Sequence, residues 1–407
     1  MTCQIDAIGI VSATGLLTYD QYMAIVSHGV PENLGYLVKN AACRCGFDAL
    51  MPGTKCVVCC ALRMPELPEG LRPYLARFCA FGDYHAIVRE RLTAFAETLC
   101  QHYGVQNYRI CVDSAPILER ELAVRAGLGK IGHNRMVIHP ELGSYVVLGE
   151  ILVDVDLMAY ASEIVRLADK PSATEVSNGL MPGACGCCTS GHRLCAAACP
   201  TGALTEDGYD FHRCLAYWTT QHRGEMPEAF ALAMGACLWG CDRCQIACPR
   251  ARGRQQNVAA RMAQPRHSDA AGAYDGDSRI AHAPNKNLST HDEMIKNSDC
   301  GVGCEYNANG CCDDVYNTNP ESCEPVIYGL KWSEMLDMSA GQLRRSLANT
   351  AMGGAHPYMV QRNLCLVIGN LGFWHYEEQL VEVCRSHACE WVRSAAERAL
   401  KRFEKGE

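Results

Sequence analysis

Apolar residues along this 407-residue chain change their period from segment to segment, and the period names the element. Ile5-Asp-Ala-Ile-Gly-Ile10 reads as an opening strand. Cys56-Val-Val-Cys-Cys-Ala-Leu62 is an unbroken apolar run between Pro52-Gly53 and Pro65, as a buried strand requires. From Tyr84 to Tyr103, Ile87, Leu92, Phe95 and Leu99 fall near one face of a long amphipathic helix. Tyr108-Arg-Ile-Cys-Val-Asp113 is a short strand ending on an acid. Ser114 as cap and Pro116 in the first turn then open a helix carrying Leu118, Leu122 and Ala126 at i, i+4 and i+8. Met136 to His139 and Ser144 to Val153 are strand-like, and the turn Pro140-Glu-Leu-Gly143 predicts a hairpin between them. From Trp332 onward the pattern is helical. Arg362 to Asn370 and Val392 to Leu400 have the look of inner helices of a short HEAT-type solenoid. Two partial units are too few to stand alone, so they are expected to dock on whatever precedes them.

These elements predict an α+β multidomain chain: an α/β domain over 1–165, a cysteine-bearing module over 166–252, a polar insertion or linker over 253–325, and a helical domain over 326–407. The insertion is rich in Gly, Ala, Asn, Asp and Ser and poor in large apolar residues. Its cysteines, Cys300, Cys304, Cys311, Cys312 and Cys323, follow no ligand spacing and are read as thiols without a metal. Gly127-Leu-Gly-Lys-Ile-Gly132 matches G-x-G-x-x-G, but it follows a helix and precedes a strand. It is therefore read as a helix stop and tight turn, not as a dinucleotide loop. No apolar run is long enough to span a bilayer, and the start of the chain lacks the basic segment of a signal peptide. The expectation is a cytoplasmic protein, without a membrane, working as a monomer. A formal net charge of -8 argues against non-specific nucleic-acid binding but leaves room for a local basic patch.

Cysteine changes the picture most. The chain holds 27, far more than a reduced globular protein of this size needs. Cys185-x2-Cys188-x6-Cys195-x3-Cys199-Pro200, then Cys214, then Cys241-x2-Cys244-x3-Cys248-Pro249 form two runs that each end in Cys-x3-Cys-Pro. That double signature marks a ferredoxin-like module with two 4Fe–4S clusters, and zinc sites have no need of it. Crossed ligation assigns Cys185, Cys188, Cys195 and Cys248 to cluster one, and Cys199, Cys214, Cys241 and Cys244 to cluster two. The x6 spacing is longer than usual and makes Cys187 a rival to Cys188.

Two clusters imply electron transfer without naming the acceptor. The block from Val112-Asp-Ser-Ala-Pro-Ile-Leu-Glu119 through Arg125-Ala-Gly-Leu-Gly-Lys-Ile-Gly132 to Glu141-Leu-Gly-Ser-Tyr-Val-Val-Leu-Gly-Glu150 resembles the epoxyqueuosine reductase family. Gly82-Asp-Tyr-His85, Pro200-Thr-Gly-Ala203, Cys214-Leu-Ala-Tyr217, Gly240-Cys-Asp-Arg-Cys-Gln245, Arg362-Asn363 and Gly369-Asn370 carry the resemblance further. The resemblance implies a cobalamin held against the α/β domain, two 4Fe–4S clusters that feed it, and reduction of the epoxide of epoxyqueuosine to queuosine at the wobble position of a tRNA. It maps the proton donor onto Asp113 and cobalamin contacts onto Asp113, Val137, Leu148, Cys241 and Asp242. It implies an external low-potential electron donor. Lys130 departs from the family, standing where an aromatic residue is common. Burial beside the corrin is expected to keep Asp113 neutral once substrate is bound. His85 and His133 read as structural histidines. Arg243, Arg250 and Arg252, with a C-terminal basic face of Arg393, Arg398, Lys401, Arg402 and Lys405, are the residues expected to meet tRNA. The competing reading is a related cobalamin and iron–sulfur reductase acting on a small molecule, as the reductive dehalogenases do.

Overall fold

The computed structural model describes residues 4–14, 18–27, 29–168, 193–205, 208–253 and 324–405. The insertion and its five cysteines fall outside these residues, apart from its edges, as do Cys185, Cys187 and Cys188. The described strands are β1 (Ala7–Ser12), β2 (Cys56–Arg63), β3 (Tyr108–Cys111), β4 (Lys130–Ile131), β5 (Val137–Ile138) and β6 (Val146–Val153), followed by a small pair at Val326–Ile327 and Leu330–Lys331. The main sheet has the order β1-β2-β6-β3, and all three pairings are antiparallel.

Helices cover both faces of this sheet, which explains why β2 is apolar at every position up to Leu62. The Tyr84–Tyr103 helix seals one face with Val88, Leu92, Phe95 and Leu99 against Ile8, Val58, Cys60 and Ile151. The Glu119–Arg125 helix seals the other with Leu122 and Ala123 against Val57, Cys59 and Leu152. A Cβ on Gly9 would run into the Ala126 carbonyl, so glycine lets the end of that helix lie directly on β1.

Two local expectations are corrected. Ser114 does not cap the following helix: its hydroxyl donates to the Val112 carbonyl, and the helix begins at Glu119 behind Leu118. Pro116 disfavours helical backbone at Ala115, so the chain spends residues 112–118 in tight turns first. The hairpin is also paired differently. β5 pairs with β4, while β6 joins β2 and β3. His139 and Gly143 exchange hydrogen bonds of 2.9 Å and close the turn between β5 and β6. The glycine stretch makes the β4–β5 return possible. Gly127 and Gly129 have φ of 81° and 157°, and a Cβ at Gly129 would strike the Ile138 carbonyl.

The C-terminal helices do dock on the preceding module. Every residue from Met359 to Gly369 in the Pro357–Asn370 helix is buried. That helix and the Glu390–Lys405 helix share one core with Leu75, Leu215, Met226, Met234, Leu238 and Trp239. Polar ties fix the angle of docking. Arg362, 0% exposed, donates to the carbonyls of Trp218, His222 and Gly224 at 2.7–2.9 Å. Asn363 donates to Thr219 and Leu238, and Asn370 to Ala231 and Gly235.

The expected basic face is largely consumed by the same packing. Arg398 and Arg402 both pair with Glu228, Arg402 is buried, and Arg393 donates to the His387 carbonyl. Lys401 pairs with Glu397 one turn away. Arg243 is tied to the carbonyls of Ala233 and Met234, whereas Arg250 and Arg252 remain exposed. The one-dimensional charge pattern could not distinguish a solvated face from one stitched to a neighbouring helix.

Candidate active site

A cleft of about 860 Å³ opens where the sheet, the first turn of the Tyr84–Tyr103 helix and the C-terminal helices meet. Val137, Val147, Leu148, Phe78 and Trp239 give it a broad apolar wall. Arg89, Arg120 and Arg223, all exposed, bring positive charge to it, and Asp113, Tyr84, His85 and Glu119 bring acid–base chemistry.

Asp113 follows the end of β3 in left-handed backbone, φ 52°, a conformation costly for any residue but glycine. Its Oδ2 accepts from the Tyr84 hydroxyl at 2.8 Å and meets His85 Nε2 at 3.2 Å. Those two partners come from a helix start. Gly82, φ 70°, turns the chain, and Asp83 caps the helix by accepting from the amides of His85 and Ala86. The Tyr84 and His85 rings stack at 4.0 Å, and His85 Nδ1 lies 3.5 Å from Asp83 Oδ1. His85 is thus held between two carboxylates and is not the isolated structural histidine the sequence suggested.

The electrostatics follow from these contacts. The His85 bond holds the Asp113 carboxyl below its ordinary value; burial works against this, and the Tyr84 bond assists. The Asp113 bond in turn raises His85, against burial. In the open cleft the two contacts therefore favour the charged form of both Asp113 and His85. The neutral Asp113 expected from the sequence belongs to the substrate-covered site; in the open one, two donors on an element remote in sequence oppose it. Burial pushes the neighbouring Glu119 up to about 7, with Asp113 adding to it and Arg120 and Arg44 opposing it.

The cysteines belong to the module whose Thr220, Gln221, Arg223 and Trp239 line the cleft. The helical turn Leu194–Ala197, carrying Cys195, packs on Arg243–Ile246, carrying Cys244. Burial pushes the Cys244 thiol up to about 12, and Cys214, Asp242, Cys195 and Cys199 add to it, so these sulfurs share one neighbourhood. Cys199 behaves differently. Burial opposes ionisation, yet the Ala203 amide at 3.3 Å and the Thr201 hydroxyl hold its thiol below the ordinary value. Amide donors aimed at sulfur suit a thiolate metal ligand. Cys237, which the spacing left out, receives a hydrogen bond from Cys241 that favours it as the thiolate. Among the described residues no three Cys, His, Asp or Glu side chains converge on a point for one metal ion.

The cysteine module is pinned to the sheet by a close backbone crossing. The Ser144 amide donates to the Ala251 carbonyl at 2.9 Å and its hydroxyl to Gln245 Oε1 at 2.9 Å. Cβ atoms on Gly143 or Gly253 would collide with the opposing backbone. Cys248 is three residues from this crossing.

The cleft thus brings together Asp113, Val137 and Leu148. Cys241 and Asp242 are not among the residues lining it. Asp242 is a brace, its Oδ2 accepting from the Arg77 amide at 2.7 Å and its Oδ1 from Gln245 Nε2 at 3.1 Å. Sequence reasoning passed over Tyr84 and Glu119. The legible signal was Gly82-Asp83, which marks a helix start whose first residues must point back at the strand ends.

Two family models match this chain. The one described as "Epoxyqueuosine reductase QueG, DUF1730" covers residues 44–114, which include His85 and Asp113. The 4Fe-4S double cluster binding domain covers residues 184–251. The epoxyqueuosine reductase of Vibrio cholerae is 34% identical over 230 residues, 54% of this chain and 56% of that protein. The chain spans about half the length of the curated relatives it matches. The solved epoxyqueuosine reductase of Streptococcus thermophilus has a TM-score of 0.65 at 20% identity, over 99% of this chain and 88% of that one. An epoxyqueuosine reductase crystallised with an epoxyqueuosine-modified tRNA stem loop has a TM-score of 0.60 at 21% identity, over 99% and 96%. The resemblance read from the sequence is therefore borne out: the chain is a relative of the epoxyqueuosine reductases, with their fold, their reductase-family domain and a double 4Fe-4S cluster domain.

Proposed function

We propose that this protein reduces the epoxide of epoxyqueuosine, in the wobble position of a tRNA, to the alkene of queuosine. The observation that carries the reading is Asp113, gripped by Tyr84 and His85 in a cleft between an apolar wall and the cysteine module. The relative crystallised with a modified stem loop supports the choice of substrate.

The residues suit a corrin and two cubanes. Val137 and Leu148 offer a flat apolar wall, and cysteines at 185, 188, 195 and 248, and at 199, 214, 241 and 244, are the proposed cluster ligands. When bound, cobalamin supplies the reducing centre for the epoxide. The protein's own task is to handle protons and exclude water. In the open cleft His85 and Asp113 share one proton as an ion pair. Covering the cleft with a cofactor and a nucleoside removes water, and a dry site favours the neutral pair. The proton then moves from His85 to Asp113 Oδ2, leaving an acid ready to donate to the epoxide oxygen. Arg89, Arg120 and Arg223, with Arg250 and Arg252, are the proposed contacts to RNA phosphates, and binding through them should weaken steeply with salt. An external low-potential donor completes the electron supply. The sequence-based boundaries 1–165, 166–252, 253–325 and 326–407 remain the proposed division of labour.

The test is anaerobic reconstitution with cobalamin, iron and sulfide, reduction, and addition of an epoxyqueuosine stem loop, scored for queuosine. Wild type should convert it. Asp113→Asn should bind the stem loop normally and slow conversion by about 10²–10⁴-fold. Full turnover by Asp113→Asn would remove the proton-donor assignment.

A further inference from the structure

Conversion of an epoxide to an alkene breaks both ring C–O bonds and forms a C=C bond. It consumes two electrons and two protons, and both protons end on the same departing oxygen, as water. The electrons come from the low-potential donor by way of the clusters. The Asp113–His85 pair holds only one proton that can be given up in this way. A second donor is required, and one that lines the same cleft can act without admitting water.

Glu119 occupies such a position. It is the first residue of the helix that covers the sheet, and it lines the cleft with Asp113. Behind it lies Glu150 of β6, opposite Cys111 in the β3 register and 0% exposed. Neither Glu150 oxygen has a hydrogen-bond partner among the described residues. An ionised carboxylate in that state would cost several kcal/mol. Burial, with Glu119 and Asp113, accordingly keeps Glu150 protonated. Three charged groups act on Glu119: Asp113 from the strand end disfavours its charge, while Arg120 on its own helix and Arg44 on the Ala42–Cys45 turn favour it. Arg44 is held by the Asn40 carbonyl and the Tyr22 ring, so it does not swing in to close an ion pair.

We propose that Glu119 is the second proton donor of the reaction, delivering to the oxygen that has already received the proton of the Asp113–His85 pair. This rests on the reductase reading above. It makes the empty cleft a store of both protons the reaction consumes, so that no bulk water need enter once the substrate is seated.

Infrared titration of the full-length protein, without added cofactor, tests the protonation directly. Wild type should show one neutral carboxyl that titrates near 7, absent in Glu119→Gln, and a second that does not titrate, absent in Glu150→Gln. In the reconstituted enzyme, single turnover by wild type should slow about tenfold per pH unit above neutrality. Glu119→Gln should be about 10²-fold slower and keep only the pH dependence of the Asp113–His85 pair, with unchanged affinity for the stem loop. Glu119→Asp, which keeps an acid, should retain the pH-dependent limb. No carboxyl titrating near neutral pH, or equal rates for wild type and Glu119→Gln, overturns the second donor alone. Wild type that converts no epoxyqueuosine overturns the reductase reading as well.

Discussion

Arg362 offers the sharpest test of how the C-terminal helices hold the cysteine module. Its guanidinium is wholly buried, and burial pushes its pKa down to about 9, so keeping it charged is costly. Against that cost stand three main-chain carbonyls, those of Trp218, His222 and Gly224, and the Asn363 side chain. Replacement by methionine keeps the length and apolar bulk but removes every donor. Hydrogen bonds from a charged group contribute about 1.5–3 kcal/mol each, and stripping one member from a buried charged network costs about 3–5 kcal/mol. Three carbonyls lose their donor in the variant, while the desolvation of the cation is relieved, so the net loss should fall near 3 kcal/mol. At about 1.4 kcal/mol per decade, this is about a hundredfold loss of protection. Hydrogen exchange over residues 215–224, which follow Cys214 directly, should accelerate by that factor, and iron bound per chain after reconstitution should fall. Lys401→Met serves as the control. It removes only an exposed pair with Glu397 and touches none of these carbonyls. Unchanged exchange at 215–224 in Arg362→Met would refute the argument that these bonds set the docking.

Further outcomes follow from the cleft and the crossing. His85→Gln removes the main influence that depresses the Asp113 carboxyl, so its titration should move up toward the ordinary aspartate value. Wild-type Asp113 loses its charge only at lower pH, so a carbon-13 titration of labelled aspartate should show the midpoint higher in the variant. Gly143→Ala should lower the melting temperature and the iron content together, because its Cβ collides with the Ala251 carbonyl and φ is 80° there. A variant that melts and loads iron like wild type would show that the crossing can relax.

The parts of this fold that could be read from the sequence are those governed by local period. The Tyr84–Tyr103 helix, β2 and the C-terminal helices came from apolar spacing, because each buries a face whose pattern is complete within the segment. The partner of β5 was missed because pairing depends on the turn at Gly127 and Gly129, not on β5 itself. Asp113 was legible through its family block, but the donors that surround its carboxylate were not. His85 and Tyr84 reach it from 28 and 29 residues away, and a proton balance is a property of the assembled cluster. The partners of the C-terminal arginines were hidden for the same reason: Glu228, which pairs with Arg398 and Arg402, lies far from them in sequence and against them in space.

The single core that runs from Leu215 and Leu238 into the Pro357–Asn370 and Glu390–Lys405 helices makes the segment boundaries poor guides to what folds as a unit. The terminal helices act as the back wall of the cysteine module. Evolution could not exchange the last eighty or so residues for an unrelated module without stripping the cysteine scaffold of its packing and opening it to water and oxygen.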